Sequence, residues 1–367
     1  MRYLTIAVLV STMLLTVSGV GAKTATEPTG TIALKYDARG ASRAQTPALV
    51  SGYNRFSVGS SSSMGIKVAG KSVKTSARVV GKKFLLGFDR NGDGTISKTE
   101  WATIPSSGTM LISGKSGDQS YAIRLVGMRV SYNKKTVSCW GQATILSSMA
   151  GMLGRTPVRI LDDNMDGAFS QKPSGFGGDA ILIGSSRSAI PLRGVHRIGK
   201  DLYRLKVASD GTSIDYERLS DTAVGQVKAK FPANSLKSLV LIGSDCAFDV
   251  KTDGDLGIPA GTYKLAYGLV SRSATTLKFR PGMSTPKYEI QDGMINTLRI
   301  GAPVRLDFAA SYRAGKVGLS ANAVSVVGSG SEIYGPLDFT RGGDARPPTV
   351  TMLSGRRVAS STSMKYG

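Results

Sequence analysis

Residues 89–100, Asp-Arg-Asn-Gly-Asp-Gly-Thr-Ile-Ser-Lys-Thr-Glu, restrict the backbone of this chain more tightly than any other segment. Asp89, Asn91 and Asp93 place side-chain oxygens on alternate residues. Thr95 adds a backbone carbonyl, Ser97 a hydroxyl, and Glu100 closes the run with two more oxygens. Gly94 sits where so tight a bend needs a positive φ, which glycine adopts without a Cβ penalty. Alternate oxygens along one turn converge on a common centre. Such a shell suits a hard divalent cation, which takes about six to eight oxygen ligands. A bare turn would explain Asn and Gly equally well. It would not call for Ser97 and Glu100 at their offsets, or for apolar Ile96 between them.

This spacing resembles the calcium loop of the EF-hand family. The resemblance implies Ca2+ held by Asp89, Asn91, Asp93, Thr95, Ser97 and Glu100. The flanks depart from the family's two long helices. Residues 81–88, Gly-Lys-Lys-Phe-Leu-Leu-Gly-Phe, read as a short buried strand bounded by glycine. Downstream, Ser97 is placed to cap a short helix through Trp101, with Glu100 in the capping-box position. Pro105 and the Ser-Ser-Gly that follows stop it. The expected frame is strand, loop and short helix, and not a helix pair that opens a groove.

A second run repeats the pattern after the apolar segment 158–161. Asp162, Asn164, Asp166 and Gly167 recur in order, followed by Ala168, apolar Phe169 and Ser170. Its twelfth position is Pro173, so the closing glutamate is missing. Asp179, beyond the glycine-rich stretch 174–178, is placed to fold back and serve instead. The candidate ligands are Asp162, Asn164, Asp166, the Ala168 carbonyl and Asp179; the alternative is a degenerate turn kept for its geometry. A third acidic run, 249–255, fits no ligand spacing and reads as a plain turn.

Glycine supplies 45 of 367 residues, well above the usual share of roughly 7%, and long helical periods are few. The expected fold is mostly β: antiparallel units carrying the EF-hand-like loops, then a β-sandwich, with little helix. Expected strands in the first unit (23–147) are 31–36, 65–68, 83–88, 109–112 and 121–130, with Ser60–Ser63 an exposed loop. The second unit (148–220) holds the second loop and strands 180–183 and 202–207. The third (221–339) contains Ile-Pro-Ala-Gly-Thr-Tyr-Lys-Leu-Ala-Tyr at 258–267. That motif resembles the opening strand of prealbumin-like and Cna-B-type β-sandwich modules, which implies adhesion, spacing or carbohydrate contact. Further strands are expected at 238–242, 276–279, 296–300, 304–309, 316–320 and 324–327. The tail 340–367, with Pro347, Pro348, Gly and Ser and no apolar period, is expected to be disordered.

Residues 1–22 combine Arg2, an apolar stretch 6–17 and a small-residue end at Ala22, the pattern of a secretory signal peptide. No later segment is long or apolar enough to span a bilayer. Export permits a disulfide between Cys139 and Cys246; two free thiols are the alternative. The single histidine, His196, is expected on the surface or in a strand, and with two cysteines it cannot complete a usual zinc site. No G-x-S-x-G elbow, P-loop or dinucleotide fingerprint occurs. Carboxylate pairs distant in sequence remain open for glycoside chemistry. The net charge of +22 is spread along the chain and favours anionic surfaces in general. Sparse aromatics exclude a dedicated nucleic-acid reader. The functional expectation is a secreted, non-enzymatic, calcium-binding protein. Its alternatives are an adhesion or scaffold module for anionic polysaccharide at the cell envelope, and a carbohydrate-active enzyme.

Overall fold

Short β-branched and aromatic runs separated by glycine build antiparallel sheets almost throughout. The computed structural model describes residues 29–335 apart from short segments, the longest being 48–54, 60–65, 170–177 and 320–324, together with 349–354 and 357–363. The expected leader 1–22, the serine run 60–63, Ser170, Pro173 and most of the stretch 174–178 lie outside the described residues.

In the N-terminal half, a four-stranded sheet has the order Arg55–Val58, Val137–Ile145, Gln119–Tyr132, Met110–Ser116. Beside it in sequence, Thr75–Val80, Lys83–Phe88 and Trp101–Thr103 form a three-stranded meander. A five-stranded sheet runs Ile190–Pro191, Ala180–Ile183, Thr156–Leu161, Ser148–Leu153, Lys35–Asp37, and Thr29–Ala33 joins a separate sheet beside Ser213–Leu219. The strand expected at 31–36 is therefore broken. Leu34 turns inward to 6% exposure, and its N–H bonds the Thr212 carbonyl at 2.7 Å. Its burial separates two strands that pair with different sheets.

The C-terminal half contains an eight-stranded sheet built on Leu236–Ile242, Gly261–Arg272 and Thr275–Pro281. A three-stranded sheet, Ile258–Pro259, Val224–Ala229, Ile295–Leu298, shares its core. Leu239, Tyr263 and Phe279 from the first pack with Val227, Ile258 and Leu298 from the second. A separate cluster draws Leu34, Ile160, Ile181, Ile214, Val240 and Tyr267 together, so residues on both sides of 147/148 and of 220/221 share one apolar core. Both acidic loops are rooted in the remaining cluster, which contains Leu86 and Phe88 before the first loop, and Leu161, Met165 and Ala180 around the second. Each such side chain stabilises the fold by about 1.5–3 kcal/mol when fully buried. The loops therefore start from fixed points.

Two expectations need correction. The tail 340–367 is not wholly irregular: Thr349–Ser354 and Arg357–Ser363 pair as an antiparallel hairpin, for which their β-branched residues suit them. The short helix through Trp101 is a single 3-10 turn, Lys98–Glu100, and Trp101 already begins the return strand. His196 lies in strand Val195–Ile198, one of the two places expected for it, and is fully buried there. Cys139 and Cys246 are both free thiols. Among the described residues, no helix is long and apolar enough to cross a membrane.

Candidate metal centre

The first loop closes a hairpin whose last register pair is Gly87 opposite Trp101. Ile96, the apolar eighth residue, covers Gly87, where a Cβ would meet Ile96 Cγ2 at 2.9 Å and the Trp101 ring at 3.0 Å. Inside the turn, Asp89 Oδ1 accepts the Gly92 N–H at 2.8 Å and Oδ2 the Gly94 N–H at 2.9 Å. Asn91 Oδ1 accepts the Asp93 N–H at 3.1 Å, and Asp93 Oδ1 accepts both the N–H and the hydroxyl of Thr95 at 2.7 Å. Glu100 is buried and faces inward. Its Oε1 accepts the N–H groups of Arg90 (2.7 Å) and Asn91 (3.2 Å). Its Oε2 accepts the N–H (2.8 Å) and hydroxyl (3.0 Å) of Ser97. These donors, the Ser97 N–H foremost, hold the Glu100 carboxyl below its usual range; the Thr95 hydroxyl and N–H do the same for Asp93. Glu100 thus serves as the loop's own anion.

The second loop also closes a hairpin, with Leu161 opposite Ala180 as its last pair. It winds like the first. Asp162 Oδ2 accepts the Gly167 N–H at 2.9 Å, Asn164 Oδ1 the Asp166 N–H at 3.0 Å, and Asp166 Oδ1 the Ala168 N–H at 2.9 Å. Asn164 Nδ2 donates to Asp166 Oδ2 at 2.9 Å, as Asn91 does to Asp93 at 2.7 Å. Phe169 takes the eighth place and rests on Gly211, where a Cβ would meet its ring at 2.5 Å.

The closure differs. The carboxylate oxygens of Asp162, Asp166 and Asp179 all lie within 4.8 Å of one another. Among the described residues, this is the group of three acidic or metal-binding side chains that comes so close; Asp89, Asp93 and Glu100 do not. Asp179 is 1% exposed while Asp166 is open to solvent. Burial pushes the Asp162 carboxyl up to about 7, and the charges of Asp166 and Asp163 add to the push. Three carboxylates at this spacing repel one another, and a divalent cation between them would reverse the sign of that interaction. The three converging carboxylates offer oxygen alone, the preference of hard cations.

Of the residues read from sequence at the second loop, Asp162, Asp166 and the more distant Asp179 bring their carboxylates together. Spacing did not reveal that Glu100 is spent on backbone donors. The run 249–255 is a turn, as read, and also a buried bracket. Asp249 accepts from the Ser238 hydroxyl (2.7 Å), the Leu239 N–H (2.9 Å) and the Lys251 N–H (3.0 Å). His196 Nε2 accepts the Arg193 N–H at 3.0 Å, and burial drives its pKa down to about 4. Neutral and enclosed, this imidazole is a framework group. Comparison with protein-family models, curated proteins and solved structures yields no match.

Proposed function

We propose that this chain is a secreted, non-enzymatic calcium-binding β protein whose ion is mainly structural. The carrying observation is the convergence of Asp162, Asp166 and Asp179 across the mouth of a hairpin. Calcium there fastens strand Thr156–Leu161 to strand Ala180–Ile183 through ligands from both ends of the loop. Asp162, Asn164, Asp166, the Ala168 carbonyl and Asp179 are its protein donors, and water completes the shell. Calcium suits the site better than magnesium, because an irregular set of protein oxygens matches its flexible coordination and not a strict octahedron. The first loop offers Asp89, Asn91, Asp93, Thr95, Ser97 and Glu100. Its Glu100 becomes a ligand only after releasing the N–H groups of Arg90, Asn91 and Ser97, so this loop fills second. Export, read from residues 1–22, places the protein where calcium is plentiful. An affinity in the weak extracellular class, about 10⁻⁴ to 10⁻³ M, fits a structural ion. At millimolar calcium such a site adds about 0.5–1.5 kcal/mol to stability.

Isothermal titration of calcium into the mature chain, wild type against Asp179→Asn, tests this. The wild type should give saturable heat whose tighter component the variant loses, with magnesium far weaker. A silent wild type, or a variant that binds as well, refutes the assignment.

A further inference from the structure

The C-terminal half carries its positive charge into two concavities. The larger, about 660 Å³, is lined by Arg193, Lys264 and Lys287 with Thr262 and Thr285. The smaller, about 430 Å³, is lined by Lys230, Arg299 and Arg305 with Thr297 and Ser329. Among the described residues, no carboxylate lines either one. Both lie within the size range of small-molecule subsites, roughly 300–1,000 Å³.

Both pockets border one turn, 328–331. Ser329 lines the smaller, and Thr285, which lines the larger, donates its hydroxyl to the Ser331 carbonyl at 3.1 Å. Fully buried Glu332 pins that turn. Its Oε1 accepts the Gly301 N–H (2.7 Å) and the Tyr334 hydroxyl (3.0 Å), and its Oε2 the Gly330 N–H (2.9 Å). Lys230, Lys264, Lys287, Arg299 and Arg305 form no ion pair among the described residues, where the pairs are Arg204–Glu217 and Arg218–Asp201. Near the larger pocket, Asp245 accepts the Gly194 N–H and acts on buried Arg193, while Glu289 accepts the Thr262 hydroxyl. Arg193, 3% exposed, forms the buried part of the lining.

We infer that the two pockets form one track for an acidic polysaccharide, whose successive carboxylate or sulfate groups enter the cationic concavities on either side of the turn. Lys230, Lys264, Lys287, Arg299 and Arg305, in concave sites with hydroxyl neighbours, suit anionic groups set along a sugar chain. Single-stranded nucleic acid fits less well, because no aromatic ring lines either pocket to stack a base. A planar membrane surface would not fill concavities. The track is independent of the calcium site.

Binding to heparin and to polygalacturonate, measured in EDTA at fixed salt and as salt-gradient elution, tests it. Lys264→Glu/Lys287→Glu and Arg299→Glu/Arg305→Glu each reverse two exposed charges, one pair per pocket. Lys82→Glu/Lys83→Glu makes the same change at exposed sites in the N-terminal half. Each pocket pair should weaken binding about tenfold, and the control pair less than twofold. The Lys→Gln and Arg→Gln versions, which remove charge without reversing it, keep the test open should a reversal fail to fold. Equal losses in the control would reduce the effect to the general field of a basic chain and overturn the track. So would unchanged binding by both pocket pairs. Tighter, pocket-dependent binding of oligothymidine, or of phosphatidylglycerol vesicles, would overturn the polysaccharide assignment.

Discussion

The two acidic loops have the same internal winding and opposite closures. Each leaves a strand rooted in the same apolar cluster, and each turns on the same aspartate-to-glycine and asparagine-to-aspartate hydrogen bonds. The difference lies in where the last acid enters. Continuing the register past Gly87–Trp101 sets Glu100 opposite Phe88, one residue before the loop begins. From there its longer side chain reaches the N–H groups at the loop's entrance. Continuing past Leu161–Ala180 sets Asp179 opposite Asp162 itself, and the shorter side chain meets carboxylates. One spacing motif thus yields a turn whose closing acid is held by backbone N–H groups and a turn whose three carboxylates converge. Hairpin register decides between them.

The largest contrast should appear in titration. With chelator present, carbon-13 shifts of the carboxyl groups should place the Asp162 midpoint near 7 and that of Glu100 below the ordinary glutamate range. The signs are opposite for stability. Folded Asp162 holds its proton more tightly than the unfolded chain does. Its contribution is full below the ordinary aspartate value of 3.8 and is lost as pH rises through about 7. Glu100 contributes above its ordinary 4.5 and loses that contribution as pH falls through its lowered value. An Asp162 midpoint in the ordinary range would erase the distinction. The next largest effect is Glu100→Gln, which offers an amide N–H₂ to a pocket of donors. Denaturant unfolding should show a loss of about 2–3 kcal/mol, with calcium or without it. A loss that calcium abolishes would show that Glu100 holds the fold through the ion and not through the N–H groups of Arg90, Asn91 and Ser97.

Much of this pair was legible locally. Strands 83–88 and 180–183 were placed to the residue by their apolar runs, and the glycine and acid offsets marked both turns. What stayed hidden is non-local. Nothing near Glu100 announces that Arg90 and Asn91 turn their N–H groups toward it, because that depends on which residues the hairpin pairs. His196 lies among basic neighbours in sequence, yet strand pairing carries it into the interior. The two basic pockets draw on residues from 193 to 329 that only the folded sheets bring to one turn.

Asp179→Asn should move the other way from Glu100→Gln. Removing one charge from a crowded triad relieves repulsion, so stability in chelator should stay level or rise slightly. Calcium affinity at the second loop should fall by about tenfold or more, and the calcium-dependent gain in unfolding midpoint should vanish. Glu100→Gln should leave second-loop affinity within about twofold. Titrating both variants side by side separates a metal ligand from a structural anion, and matching losses would merge the two classes.

The smallest effect concerns the fourth position of each loop, which has positive φ in both: Gly92 at 75° and Met165 at 60°. Glycine accepts that conformation freely, whereas an L side chain there costs about 1–2 kcal/mol. Gly92 is exposed, and a Cβ would stand 3.3 Å from the Lys115 carbonyl. Gly92→Ala should therefore cost about 1 kcal/mol or somewhat more. Met165 carries the same penalty but buries its side chain to 4% exposure in the shared cluster, a gain of about 1.5–3 kcal/mol. Met165→Gly removes both contributions and should cost only about 1 kcal/mol net. Met165→Ala loses most of the burial and keeps the penalty, so it should be worse than glycine by about 1 kcal/mol. Thermal unfolding of the three variants gives the order directly. If alanine proves milder than glycine at 165, the left-handed backbone there is wrong, and with it the parallel between the two loops at this position.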